Sequence, residues 1–543
     1  MSTSWPTFSR LCSESIYGSG GRDMRLISGG ELVVDCLRKQ GVRKIFSIIG
    51  GQMGSIYDAV GRRDDIDIFV PRCETAGPLM ACGYAAATGE PAVSMTTVGA
   101  GVVYEVAGLS HAWLNYHPVI SIAPQVQSWK MKPHQENLQA CNQDEIFAPV
   151  TKWNAIVYHW RRIPQMVARG FREAYTGVPG PVHLDVPVDV LFRRGLWREK
   201  QFVEIPVVDR EPGIAGIAER MDEAAAVLKK AKRPLVLVGQ GMGRWGRYRN
   251  LRGLLNQAGW PVLTTRFSSG IMCSRDSCYV GPVSLFAEAD EGTALLKATD
   301  VLVLVGVDPE AHAVVNQCGW TVGPVVQVET EPSAMLLDTR HPIHADPASA
   351  FSAWLAAGIR GVQEEAWLKT MRQKASELAG RRFPADRGMG RVLAKLGEKT
   401  DASDIVVADG AGLSEAAVSI LRGAEYRDLF CMDERDMAGV GLPFAIGAAL
   451  GDSNVRVNLI CDKESLFAHV RELAPAGLAG VTMRIVVVDD DDAAVNCADT
   501  AAVLEGFGCR VKKISLGDGE IEIPAVEPRT INALVLEPES KKR

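Results

Sequence analysis

The chain has 543 residues, 47% of them hydrophobic and 23% charged, and a formal net charge of −6. That length exceeds one compact core and suits about three domains of ordinary size, while the mild acidity excludes the basic footprint that nucleic acid or an anionic membrane surface demands. No run reaches the roughly 18 apolar residues of a membrane-spanning helix, so a soluble, cytoplasmic protein is expected.

Residues 1–25 are rich in Ser, Gly and Arg without an unbroken apolar stretch, and read as a flexible leader. The 12 cysteines are scattered from Cys12 to Cys509 with no C-x-x-C pair, which suits reduced packing thiols rather than a disulfide frame or a zinc site.

From 26 to 192, helix-length segments alternate with short β-branched runs at Lys44-Ile45-Phe46-Ser47, Ala92-Val93-Ser94-Met95, Val119-Ile120-Ser121-Ile122 and Val182-His183-Leu184-Asp185-Val186. This alternation predicts right-handed crossovers and a doubly wound parallel sheet covered on both faces. Within the unit an apolar strand ends at Pro71, and Arg72-Cys73-Glu74-Thr75 leads into a small-residue helix through Ala81, Gly83 and Ala85. Glu74 therefore stands at a strand-to-helix junction, where open α/β sheets keep their chemistry. Taken alone, such a carboxylate reads as a cap or a solvated side chain as readily as a catalyst. His111, His117 and His134 are placed nearest the C-terminal loops of this unit, and none is singled out.

Residues 193–216 read as a linker. From 217 to 357 a second α/β unit follows, whose first strand ends in the turn Gly239-Gln240-Gly241-Met242-Gly243. The turn lacks the full dinucleotide-binding spacing and reads mainly as structural. After a linker helix region at 358–390, a third unit runs from 391 to 543. There Ile405-Val406-Val407-Ala408 enters the glycine loop Asp409-Gly410-Ala411-Gly412, and two buried-type strands end in Asp462 and Asp489. The first and third units are alike in plan, and the fold class is α/β, with three consecutive doubly wound domains.

The segments Val42 to Gly54, Arg72 to Gly89, Thr96 to Gly101, Asn115 to Gln125 and Thr151-Lys152-Trp153 together resemble the pyrimidine-binding domain of thiamine-diphosphate enzymes, in the branch of acetolactate synthase and its decarboxylase and carboligase relatives. In that family a glutamate inside an Arg-His-Glu-like triplet hydrogen-bonds the coenzyme's pyrimidine ring. The resemblance assigns that role to Glu74 of Arg72-Cys73-Glu74. It also implies cofactor contacts from Gly50 and Gly51, from the turn Gly99-Ala100-Gly101, from Gln125, and from the amides of Gly410, Ala411 and Gly412. Met437 or Ala438 falls where the family supports the bent coenzyme from below. The implied activity is a lyase or carboligase acting on a 2-oxo acid or related carbonyl, with sites between subunits of a homodimer or homotetramer and no nucleic-acid or membrane partner. FAD occupies the central domain of some members, and nothing in this sequence selects it.

The rear motif departs from the family. Where Gly-Asp-Gly and Asn-Asn hold Mg²⁺ beside the diphosphate, this chain has Cys461-Asp462-Lys463 and Asp489-Asp490-Asp491-Asp492. The metal expectation therefore rests on Asp462, Asp489 and Asp491. Carboxylate in place of amide puts negative charge beside an anion, and Lys463 either compensates as a fixed cation or projects into solvent. The alternative is a catalytically silent or regulatory homologue that keeps the three-domain fold.

Overall fold

The computed structural model describes residues 24–132, 137, 139–198, 218–242, 247–317, 323–336, 339–361, 364, 366–432, 437–489, 499–516 and 521–537. The expected leader lies almost wholly outside them, as does most of the linker at 193–216.

In the front unit the strands are β1 (Met24–Ser28), β2 (Lys44–Ser47), β3 (Asp67–Phe69), β4 (Val93–Met95), β5 (Ile120–Gln125), β6 (Trp153–Ile156), β7 (Val182–Pro187) and β8 (Arg194–Arg198). Six of them form a parallel sheet in the order β3-β2-β4-β5-β7-β6. β8 lies in the stretch read as linker but pairs antiparallel with β1. Its Trp197 is buried against Trp160, with ring centroids 5.8 Å apart, and this packing holds the strand to the front unit.

The central unit holds β9 (Pro234–Val238), β10 (Val262–Thr264), β11 (Tyr279–Pro282), β12 (Val301–Val305), β13 (Val325–Glu329) and β14 (His341–His344). Their parallel order, β11-β10-β9-β12-β13-β14, is that of dinucleotide-binding folds. The rear unit holds β15 (Asp404–Asp409), β16 (Asp428–Met432), β17 (Arg456–Asp462), β18 (Met483–Val488), β19 (Arg510–Ser515) and β20 (Ile531–Glu537). It is parallel in the order β16-β15-β17-β18-β20-β19. Counted within each unit, the front and rear sheets share one order, second-first-third-fourth-sixth-fifth. Most strand residues are buried on both faces, as all-parallel sheets require.

Front and rear units meet along two small-residue helices, Ala76–Thr88 and Gly441–Gly451. A Cβ on Gly83 would collide with the Phe444 carbonyl, and one on Gly447 with the Met80 carbonyl. Only hydrogen fits at these two crossings, so the backbones approach closely and one apolar core, including Phe46, Met80, Phe444 and Val457, runs through both units. Among the described residues no helix is long and apolar enough to cross a membrane.

Candidate functional site

When the first strand of a parallel sheet lies between the second and third, the connections leave on opposite faces and open a crevice at the strands' carboxyl ends. In the front unit that crevice falls between β2 and β4. Gly50 and Gly51 follow β2, and a Cβ on Gly50 would strike the Thr97 methyl from the loop after β4. Glu74 arrives from the loop after β3. A Cβ on Gly101 would lie 3.2 Å from Glu74 Oε1, 3.1 Å from Thr96 Oγ1 and 2.6 Å from Thr97 Oγ1. The half-buried Glu74 carboxylate thus lies against the first turn of the helix Ala100–Leu114, entered through Gly99 at φ +85. Beside it, Thr96 Oγ1 is buried and has no hydrogen-bond partner among the described residues. Cys73, next in chain, packs against the core as a small apolar group.

Gln125 ends β5 and is buried, but its carboxamide is engaged locally. Its Nε2 donates to Cys141 O at 3.1 Å, and its Oε1 accepts from Val126 N at 2.9 Å. His111 lies in the last turn of the helix Ala100–Leu114, about 15 Å from Gly101 along the helix axis, at the opposite edge of the sheet from the crevice. His111 and His117 stack with centroids 5.7 Å apart, near Phe444 in the seam, which corrects the placement expected from sequence. Helix direction decides this: a crossover helix returns the chain to the amino edge of the sheet. His134 lies outside the described residues.

By the same topological rule the rear crevice falls between β15 and β17. Gly410 adopts φ +117, and a Cβ there would stand 2.7 Å from Asp462 Oδ2. A cavity of about 410 Å³ opens at this point, lined by Gly410, Gly412 and Asp462 with the apolar Phe383, Leu413 and Val488. Ala411 begins the helix that follows. Asp462 Oδ1 accepts from Ser465 N at 2.7 Å, which caps the helix Lys463–His469. Lys463 is buried, and its Nζ lies 3.0 Å from Asp489 Oδ1 at the end of the adjoining β18. Met437 is half-buried against the core, whereas Ala438 is exposed. Asp491 lies outside the described residues.

In the central unit the glycine turn serves the fold. Gln240 N donates to Asp308 Oδ2 at 2.8 Å, and a Cβ on Gly241 would press on the Val307 carbonyl. Gly243, the last residue of the turn, lies outside the described residues.

Two features had no sequence signal. Glu472, fully buried, accepts from Arg72 N through both carboxylate oxygens, and burial pushes it up to about 7. A second network joins residues from three segments. Ser121 Oγ lies 3.0 Å from Glu105 Oε2 and 2.8 Å from His183 Nδ1, and His183 Nε2 lies 3.0 Å from Asp185 Oδ1. It has the order of a serine-histidine-aspartate relay, but all its members are buried and Phe147 covers the imidazole, centroid to centroid 3.7 Å. Substrate has no approach to it.

Sequence comparison bears on these crevices directly. The profile of the thiamine pyrophosphate enzyme N-terminal TPP binding domain matches residues 27–146, and that of the thiamine pyrophosphate enzyme central domain matches residues 221–353. The chain carries the N-terminal and central domains of the thiamine pyrophosphate enzymes. The acetolactate synthase large subunit of Lactococcus lactis is 24% identical over 468 residues, covering 85% of this chain and 80% of that one. The acetolactate synthase isozyme 2 large subunit of Escherichia coli is 25% identical over 478 residues, covering 86% and 83%. The acetolactate synthase of Bacillus subtilis is 31% identical over 284 residues, covering 52% and 48%.

Against this thiamine pyrophosphate enzyme frame the two crevices differ. The front fits an aminopyrimidine, because a carboxylate and a buried unpaired hydroxyl converge there. Among the described residues, the rear does not fit a divalent cation. Such an ion takes about six oxygens in octahedral geometry, yet Asp462 Oδ1 is held by a backbone amide and Asp489 Oδ1 by an ammonium.

Proposed function

We propose that the chain is a thiamine-diphosphate-dependent lyase or carboligase that makes or breaks a carbon–carbon bond in a 2-oxo acid or related carbonyl compound. The observation that carries this reading is Glu74, set against Gly101 and Thr96 at the front crevice. When bound, thiamine diphosphate supplies a carbanion that adds to the carbonyl and holds the resulting charge. Glu74 is the hydrogen-bonding partner of the pyrimidine ring, and it shares or returns the proton of that bond. Val70, Pro71 and Ala76 flank it in sequence, and an apolar surrounding strengthens such a bond. Thr96 Oγ1 offers a second polar contact in the same crevice.

Water has to be kept from this site, and apolar surface is available to do so. Ile49, Val70, Val103 and Tyr104, on the loops and helix turn that flank Glu74, are 55%, 38%, 49% and 63% exposed. A second copy covering them gives a homodimer or a higher oligomer. The cysteines that are described are free, which suits a reducing cytoplasm.

A silent or regulatory homologue is the second reading, favoured by the Lys463–Asp489 pair in the rear crevice. Release of CO₂ from a panel of 2-oxo acids, by the full chain with thiamine diphosphate, separates the two. Turnover lost in Glu74→Gln supports the enzyme; coenzyme binding without turnover on any acid supports the silent homologue.

A further inference from the structure

Three charged side chains converge where β17 and β18 end. Asp462 and Val488 are register partners, so Asp489 emerges one residue beyond the partner of Asp462. Lys463 follows Asp462 directly, is 4% exposed, and reaches across to Asp489 Oδ1 at 3.0 Å. The ammonium bridges the two strand ends.

A divalent ion shared by Asp462 and Asp489 is incompatible with this arrangement. Binding it would require the lysine to leave Asp489 Oδ1 and enter solvent, while Asp462 has its Oδ1 held by Ser465 N and offers only Oδ2. The ion would have to displace an ammonium already paired with one of its two carboxylates, and the buried stem of Lys463 would be exposed. Lysine carries three N–H donors and Asp489 engages one of its hydrogens, so the ammonium has donors left for an anion's oxygen atoms. Such a point charge is a familiar phosphate contact.

We infer that Lys463 is the resident cation of the rear crevice, taking the place of a divalent metal, so that the anionic tail of the ligand is held without one. This rests on the thiamine-diphosphate reading above for the identity of the ligand, but not for the state of the crevice.

Manganese(II), followed by electron paramagnetic resonance on the full chain with and without thiamine diphosphate, reads the crevice without reference to activity. The wild-type chain is expected to leave Mn²⁺ free, and Lys463→Gly to gain one bound equivalent, which Asp489→Asn then removes. One equivalent bound by the wild type and lost in Asp462→Asn overturns the inference, as does a folded Lys463→Gly chain that gains none. Circular dichroism reports folding, and Lys463→Met, which keeps the apolar stem, replaces a glycine variant that does not fold. Calorimetry of thiamine diphosphate in chelator and in Mg²⁺ is expected to give affinities within about threefold of each other, whereas a gain of about tenfold with Mg²⁺ overturns the inference. Absence of heat in both buffers removes the coenzyme reading instead, and the manganese result still decides the role of the lysine.

Discussion

Arg72 donates its backbone N–H to both carboxylate oxygens of Glu472, at 3.1 and 2.9 Å, across 400 positions of chain. Arg72 stands two residues before Glu74, and Glu472 follows the helix that Asp462 caps. The loop carrying the proposed catalyst is thus tied to the segment carrying the rear crevice, and any shift of one unit against the other must break or stretch this contact.

That contact gives a pH dependence with a definite sign. Burial raises Glu472 from 4.5 to about 7 in the folded chain, while the Arg72 amide opposes the rise. A carboxyl group raised on folding contributes stability that is complete below its unfolded value and lost as pH climbs through its folded one. Between pH 4.5 and 7, this contribution should fall by roughly 3 kcal/mol. Denaturant unfolding of the wild type and of Glu472→Gln across that window should show a flatter profile for the variant. Parallel profiles would show that Glu472 titrates alike in the folded and unfolded chain.

The seam between front and rear units depends on two hydrogen-sized contacts. Gly83→Ala and Gly447→Ala should each destabilise by about 1–3 kcal/mol, because a methyl group meets a carbonyl that can move only with its helix. The double variant should depart from additivity, since both changes push the same pair of helices apart. Gly253→Ala, in a helix with open space around it, serves as the control and should stabilise by up to about 1 kcal/mol. Thermal midpoints of the four chains check this.

Much of this architecture can be read from residues alone. The β-branched runs at Val301–Val305 and Met483–Val488 became fully parallel central strands, because such runs fit surfaces buried on both sides. The Glu74 junction was legible because strand end, triplet and small-residue helix are contiguous in sequence. Arg194–Arg198 was not: its charges resemble a linker, and only pairing with the distant β1, with Trp197 packed on Trp160, makes it a strand. The direction of Lys463 was equally hidden, since it depends on the register that sets Asp489 beside Asp462. Glu472 gave no signal, because its partner is a backbone amide and no side chain marks the pairing.

Glu74→Gln keeps the shape of the side chain and removes its charge. Coenzyme-dependent turnover should fall by about 10²–10⁴-fold, the range for loss of a positioned acid–base group, with little change in thermal midpoint because the carboxylate is only half-buried against the first turn of the helix Ala100–Leu114. A steady-state rate within a few-fold of wild type would reject the role given to Glu74.

Thr96 should matter less and differently. Its buried hydroxyl has no partner among the described residues, so Thr96→Val costs no protein hydrogen bond there. The folded chain should be as stable as wild type, while affinity for thiamine diphosphate falls by about 1 kcal/mol, the net worth of one hydrogen bond. Paired thermal-shift and titration experiments measure both quantities.

Calorimetric titration of thiamine diphosphate into the full chain tests the central claim most directly. Saturable heat with one site per chain, weakened by about tenfold or more in Glu74→Gln, is the predicted result. No saturable heat, in chelator or in Mg²⁺, would contradict it.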